Sequence, residues 1–131
     1  MHKRYLVIAA FFGALSVALG AFGAHLLKDI LSTQSLNTFE TAVRYQFYHV
    51  FALAFVAVLY KSYQNKMLKY AGVLFILGIL FFCGSLYLLT FLSVNTPTHF
   101  RWIGAITPFG GVFFIAGWLC IAFGILKGPT E

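Results

Sequence analysis

Apolar residues run through the chain in four long stretches, separated by short segments that carry most of its lysines. The stretches cover about residues 5–27, 38–60, 70–92 and 102–126. A bilayer core about 30 Å thick is crossed by roughly 20 apolar residues in a helix. The pattern therefore predicts an all-α fold, an integral membrane four-helix bundle formed by a single domain over residues 1–131. The short connections favour an up-down-up-down order of helices.

The second stretch is strongly apolar only over about residues 45–60, so its helix is expected to begin before that run. Asn37 is followed three residues later by Glu40, which is the spacing of a capping box with Asn in place of Ser or Thr. We expect this helix to begin near Thr38, in the headgroup region, and to enter the hydrocarbon near Tyr45.

Lysines and arginines in the short flanks predict the orientation of the spans. Six of the nine lie beside the two termini or between spans two and three, and the other three lie on the far side. Both termini are therefore expected to face the cytoplasm, in a multi-pass protein of the cell membrane, with the bacterial cytoplasmic membrane expected. The first stretch is longer than the core of a usual secretory signal, so we expect it to be retained as a span.

Composition narrows the class of protein further. Hydrophobic residues make up 61% of the chain and charged residues 9%, against about 25% charged in ordinary soluble domains. A soluble enzyme, a free nucleic-acid binder and a disordered regulator are excluded. The net charge of +6 does not indicate nucleic acid, because the basic residues are scattered between spans and form no cluster with aromatic platforms.

Small residues recur at helical spacing in three of the stretches. Because helices in lipid associate through close packing, small residues mark their contacts. We predict packing within one chain, and the alternative is that these glycine seams face a second protomer in a homo-oligomer or a larger membrane complex. The stripes are Ala9, Gly13, Ser16, Gly20 and Gly23; Ala71, Gly78 and Ser85; and Gly110, Gly117 and Gly124.

Six polar side chains inside the spans are expected to gather in the outer half of the membrane and to form a polar cluster or ligand pocket. Polar groups in a span face the bundle interior and need partners. The preferred interpretation is that they bond to one another and tie the helices together. A pocket for a lipid headgroup, a quinone or an ion is the second interpretation, and metal or haem ligation by two histidines is the third. The six are His25, Gln46, His49, Ser85, Tyr87 and Thr107.

The same positions carry a resemblance to a known family. The chain resembles the domain of unknown function 423 family, small YgdD-like inner-membrane proteins with transmembrane protein 256 as a eukaryotic relative. The resemblance implies a four-helix integral membrane protein and brings no activity with it. The matching stretches, which occur in order across all four spans, are LGAFGAH at 19–25, YQFYH at 45–49, CGSLY at 83–87 and TPFGG at 107–111.

From these observations we predict a non-enzymatic membrane protein with a structural or accessory role in the cell envelope. The alternative is a binding or transport protein with an outer-leaflet polar pocket. An enzyme would need a nucleophile beside a base, and Ser85 with His49 is the one pair that could supply them. No cofactor and no catalytic or metal-binding residue is predicted. Membrane lipids are the expected partners, and nucleic acid is not.

Overall fold

Four helical spans form the molecule. The computed structural model describes residues 1–95 and 101–129. The spans are α1 (Lys3–His25), α2 (Thr33–Leu59), a third span in three pieces, and α5 (Arg101–Lys127). The third span consists of α3 (Lys66–Gly78), a π-helical turn (Ile79–Cys83) and α4 (Gly84–Asn95). Each of the four is long and apolar enough to cross a membrane, which confirms the predicted all-α membrane fold.

Helix α2 begins five residues before the predicted start. Ser32 is its N-cap, and the Ser32 Oγ accepts a hydrogen bond from the backbone N–H of Ser35 at 3.2 Å. The prediction of Asn37 as the cap is therefore wrong. The helix extends upstream because its first turns already have a core to pack on: Phe39 is fully buried beside Leu27, so residues ahead of the long apolar run also gain from being helical.

Hydrogen bonds between helix ends establish that the first three spans alternate in direction, as the up-down-up-down order requires. The backbone N–H of His2, at the start of α1, donates to the carbonyl of Ala57, near the end of α2, at 2.9 Å. At the other end, the hydroxyls of Ser35 and Ser93 lie 3.1 Å apart and join the start of α2 to the end of α4. We call the side of His2 the terminal side and the side of Ser35 the opposite side. The expectation that the terminal side is cytoplasmic stays a prediction.

The small-residue stripe of α1 packs against α2. A Cβ at Gly13 would lie 3.5 Å from Cγ1 of Val50, and one at Gly23 would lie 2.7 Å from the ring of Phe39. Ser16, between them, is fully buried. Helix α1 therefore packs mainly on α2, and it contacts the third span through the Tyr5 hydroxyl, which donates to the carbonyl of Lys69 at 2.8 Å.

The stripes of the third span and α5 meet each other. A Cβ at Gly78 would collide with the ring of Phe114, and one at Gly117 would lie 2.7 Å from the ring of Phe75. These contacts confirm packing within the chain as the use of the stripes.

The π-helical turn brings two backbones together at Gly110. A Cβ added at Gly110 would collide with the backbone of Phe82, which lies in this turn. A π turn inserts one residue into the helical ladder and shifts the faces presented on either side of it. Here the shift places the residues after Cys83 against the first turns of α5.

Candidate functional site

Gln46 joins three spans near the middle of the bundle. Its side chain is 1% exposed. The Tyr87 hydroxyl donates to Oε1 of Gln46 at 2.8 Å, and Nε2 of Gln46 donates to the carbonyl of Phe12 at 3.2 Å. That carbonyl also accepts from the Ser16 hydroxyl at 2.7 Å. One amide on α2 is thus bonded to α1 on one side and to the third span on the other.

His49 forms a second group, directed at α5. Its Nδ1 lies 2.7 Å from the carbonyl of Tyr45, and the indole Nε1–H of Trp118 points at its Nε2 from 3.3 Å. A carbonyl only accepts and an indole only donates. The two bonds together therefore assign the proton to Nδ1 and the lone pair to Nε2, which describes a neutral imidazole. The ring stacks on Phe114, with centroids 3.4 Å apart and planes 7° apart.

Ser85 and Thr107 form a third group, one residue on each side of the contact between the third span and α5. Their hydroxyl oxygens lie 2.7 Å apart, and Ser85 also donates to the carbonyl of Phe82 at 2.9 Å. Because the Ser85 hydroxyl has a single hydrogen, Thr107 is the donor of the bond between them. This pair ties α5 to the residues that follow the π turn.

His25 does not join any of these groups. It is exposed at the end of α1, and the pairing of Gly13 with Val50 sets it about 16 Å along the bundle from the level of His49 at 1.5 Å per residue. The structure therefore does not bring all six predicted residues into one cluster. His49 lies nearer to Leu59 than to the start of α2, in the terminal half of that helix, and the expected placement in the outer half of the membrane stays a prediction. The two histidines proposed as metal or haem ligands are not brought together.

The described residues also bring no other metal-binding set together. Within residues 1–95 and 101–129, no three side chains of His, Cys, Asp or Glu are close enough to hold an ion. Cys83 and Cys120 are free, and Cys83 is buried, as expected for packing cysteines.

Asn65 is a buried polar residue that the sequence analysis did not single out. It is 4% exposed, and its Oδ1 caps α3 by accepting from the backbone N–H of Leu68 at 3.1 Å. Its Nδ2 donates to the carbonyls of Gly124 at 2.8 Å and Gly128 at 2.9 Å, at the end of α5. An Asn that stands directly before a lysine and an apolar run is typical of a helix N-cap, so this role could have been predicted from the sequence. Its second role, at the end of another helix, depends on tertiary structure.

Trp118 was missed as the partner of His49. Tryptophans in membrane proteins are enriched at the interfaces, whereas Trp118 lies well inside α5, nine residues before its end at Lys127. An indole N–H at that depth needs an acceptor. A tryptophan in the interior of a span was thus a signal that an acceptor such as His49 lies close to it.

The three polar groups have hydrogen-bond partners within the chain. Among the residues that the structure describes, no buried side-chain nitrogen or oxygen lacks a hydrogen-bond partner. Each donor and acceptor named above is directed at another helix or at the backbone. Chemically, the arrangement fixes helix register and neutral protonation, and it leaves no buried polar atom of the described chain directed at a ligand.

Comparison with known proteins identifies the family. Residues 19–111 match the family model of DUF423, described as a protein of unknown function. The chain belongs to the DUF423 family. It is 40% identical over 125 residues to a UPF0382 membrane protein of Staphylococcus haemolyticus, covering 95% of this chain and 97% of the relative.

Two further relatives match this chain over nearly their whole length. A UPF0382 membrane protein of Haemophilus influenzae is 39% identical, with 99% of both chains covered. The UPF0382 inner membrane protein YgdD of Escherichia coli is 34% identical, with 97% of this chain and 93% of the relative covered. No solved structure matches the chain. These matches confirm the family resemblance and identify the chain as a multi-pass membrane protein.

Proposed function

We propose that this DUF423 chain is a non-enzymatic structural or accessory protein of the membrane, whose mid-bundle polar groups hold four helices in one register. The observation that carries the proposal is that every buried side-chain nitrogen and oxygen in those groups has a hydrogen-bond partner within the chain. The side-chain carbonyl of Gln46, for example, accepts from the Tyr87 hydroxyl, and one of its N–H groups donates to the carbonyl of Phe12. A polar pocket for a ligand would instead present convergent groups with free valences.

The geometry at the one candidate nucleophile supports the same proposal. The Ser85 hydroxyl is engaged with Phe82 and Thr107, and His49 is engaged with Tyr45 and Trp118. Nucleophilic catalysis needs the base within hydrogen-bond reach of the nucleophile. Ser85 and His49 each bond to other groups, and those bonds fix the positions of their side chains.

Native mass spectrometry of the full chain, released from mild detergent, tests this proposal against the binding or transport alternative. We expect wild type and Tyr87→Phe to carry the same adducts, all of them lipids that are lost stepwise on activation. A stoichiometric non-lipid ligand that survives on wild type and is lost from Tyr87→Phe would overturn the structural proposal and establish the pocket. Tyr48→Phe, which alters an exposed tyrosine on the same bundle, is the matched control.

A further inference from the structure

A shallow apolar groove runs along the terminal half of the α1–α2 pair. It has a volume of about 300 Å³ and an almost wholly apolar lining. On α1 it extends from Leu6 to Gly13, about 10 Å at 1.5 Å per residue. Its size is at the lower limit for ligand pockets and suits part of one extended hydrocarbon chain. The residues that line it are Leu6, Ala9, Ala10 and Gly13 on α1 and Val50, Phe51 and Ala54 on α2.

Two lysines stand at the terminal end of this groove. Lys3 precedes Leu6 by one turn of α1, so these two residues share a helix face. Lys61 lies in the turn that follows α2, two residues after its end at Leu59. The backbone bond from His2 to Ala57 holds the two helix ends side by side. Both lysines are exposed.

The charge around these lysines is of one sign. In the described ranges 1–95 and 101–129, the acidic residues are Asp29, in the turn after α1, and Glu40, in the first turns of α2. Both belong to the opposite side. Among the described residues, the charged side chains of the terminal side are therefore all cationic, and positive charge near the membrane surface attracts anionic lipids.

We propose that this groove binds one acyl chain of an anionic phospholipid, whose phosphate is held by Lys3 and Lys61. The acyl chain fills the space beside the small side chains of Ala10 and Gly13. The headgroup reaches the ammonium groups of Lys3 and Lys61 at the terminal end of the groove. A lipid suits the groove better than a second copy of this chain does. A symmetric dimer through this face, with its axis along the membrane normal, would bring the same two lysines of each copy together at one level, where like charges repel.

The test is a lipid titration followed by native mass spectrometry on the full chain, with phosphatidylglycerol and phosphatidylcholine of identical acyl chains as probes. We expect wild type to bind phosphatidylglycerol at least about fivefold more tightly than phosphatidylcholine. This ratio corresponds to the attraction of roughly one lysine to an anionic membrane surface. The double variant Lys3→Gln/Lys61→Gln should bind phosphatidylglycerol and phosphatidylcholine with equal affinity. The matched control, Lys28→Gln/Arg101→Gln, removes two exposed cations from the opposite side and should keep the preference.

A second pair of variants tests the groove itself. Ala10→Leu fills it and should weaken both lipids by a similar factor, whereas Ala21→Leu, exposed on the same helix beyond the groove, should weaken neither. Equal affinity for the two lipids in wild type would overturn the proposal, as would loss of the preference in the opposite-side control. A dimer that Ala10→Leu dissociates would overturn it in favour of a second copy. Each result is independent of the proposed structural role, which concerns the mid-bundle polar groups.

Discussion

At the scale of single residues, the buried amide of Gln46 shows how a polar side chain acts inside an apolar bundle. It lies where α1, α2 and the third span meet, and it bonds to α1 and to the third span. Interhelical bonds in membranes average only about 0.6 kcal/mol. Leaving one partner of such a bond unsatisfied costs about 1–3 kcal/mol. The contribution of Gln46 therefore depends on its partners being present.

Removing the Tyr87 hydroxyl tests this dependence. Tyr87→Phe leaves Oε1 of Gln46 buried without a donor and should lower the free energy of unfolding by about 1–2 kcal/mol, measured by denaturant titration in bicelles. Tyr48→Phe, at an exposed ring, should change it little. Adding Gln46→Leu to Tyr87→Phe should cost less than the sum of the two single changes, because neither polar partner then remains. Strictly additive losses would contradict the interpretation.

His2 provides the titratable contact of the terminal side. Its Nδ1 accepts from the backbone N–H of Tyr5 at 3.4 Å, and its ring stacks on that tyrosine with centroids 3.9 Å apart. Burial lowers the pKa of His2 below its usual 6.5, with smaller contributions from the positive charges of Lys69 and Arg4. The folded state therefore favours neutral His2, and the unfolded state binds the proton more readily.

The resulting pH dependence has a defined sign. The stability contributed by His2 is fully present above about pH 6.5 and is lost as the pH falls through the lower pKa of the folded state. We expect the difference in unfolding free energy between wild type and His2→Asn to shrink from about pH 8 to about pH 5, by well under 1 kcal/mol since the ring is partly exposed. Asn retains an acceptor for the cap without titrating. A difference that is constant with pH would contradict this prediction.

At the scale of elements, Asn65 couples the start of one helix to the end of another. A plain N-cap tolerates Asp as well as Asn, but Asp has no amide hydrogens to donate. Asn65→Asp should therefore keep the cap on α3 and lose both bonds to α5, placing a carboxylate against the carbonyls of Gly124 and Gly128. We expect an unfolding loss of about 2 kcal/mol or more, by the same denaturant titration. Ser32→Asp, at an N-cap without such a second role, should be nearly neutral.

The two glycines at the start of α5 provide a matched pair for helix contact. Gly110→Ala would place a methyl group against the backbone of Phe82, which cannot move aside as a side chain can. It should destabilise the protein by about 1–3 kcal/mol. Gly104→Ala meets nothing within 4 Å and should stabilise it by up to about 1 kcal/mol through helix propensity. Equal effects at the two positions would contradict the close contact at the π turn.

The spans could be predicted because crossing a bilayer imposes a length and an apolar composition that are visible in the sequence. The site could be predicted only in part, and Gln46 and His49 show why. They were expected to belong to one polar cluster, yet Gln46 bonds to α1 and the third span, and His49 bonds to α5. Starting α2 near Thr38 also placed His49 too close to the opposite side. With Thr33 as the first residue, His49 lies about 24 Å into the helix at 1.5 Å per residue, past its midpoint.

The π turn could not be predicted from the chain. Gly78 and Gly84 flank it, but Gly78 also belongs to the small-residue stripe of Ala71, Gly78 and Ser85, which fits an uninterrupted α-helix. What selects the π turn is the fit of Phe82 against Gly110, two residues on different spans. Local sequence specifies that the segment is helical, and the neighbouring helix specifies how the ladder is adjusted.

At the scale of the whole molecule, the asymmetry of charge defines the remaining prediction. Six cations lie on the terminal side: Lys3, Arg4, Lys61, Lys66, Lys69 and Lys127. Because positive flanks are retained in the cytoplasm, we expect this side to face the cytoplasm. The lipid groove proposed above then opens toward the inner leaflet, where the same lysines meet anionic headgroups.

Cysteine labelling in intact cells measures this orientation. With Cys83 and Cys120 changed to alanine, Ser62→Cys places a thiol on the terminal side and Asp29→Cys places one on the opposite side; both positions are exposed and lie outside the spans. A membrane-impermeant maleimide should label residue 29 in intact cells and residue 62 only after lysis. Labelling of residue 62 in intact cells would reverse the assigned orientation. It would also place the lysines of the groove in the outer leaflet, so the phosphatidylglycerol preference would then concern lipids of that leaflet.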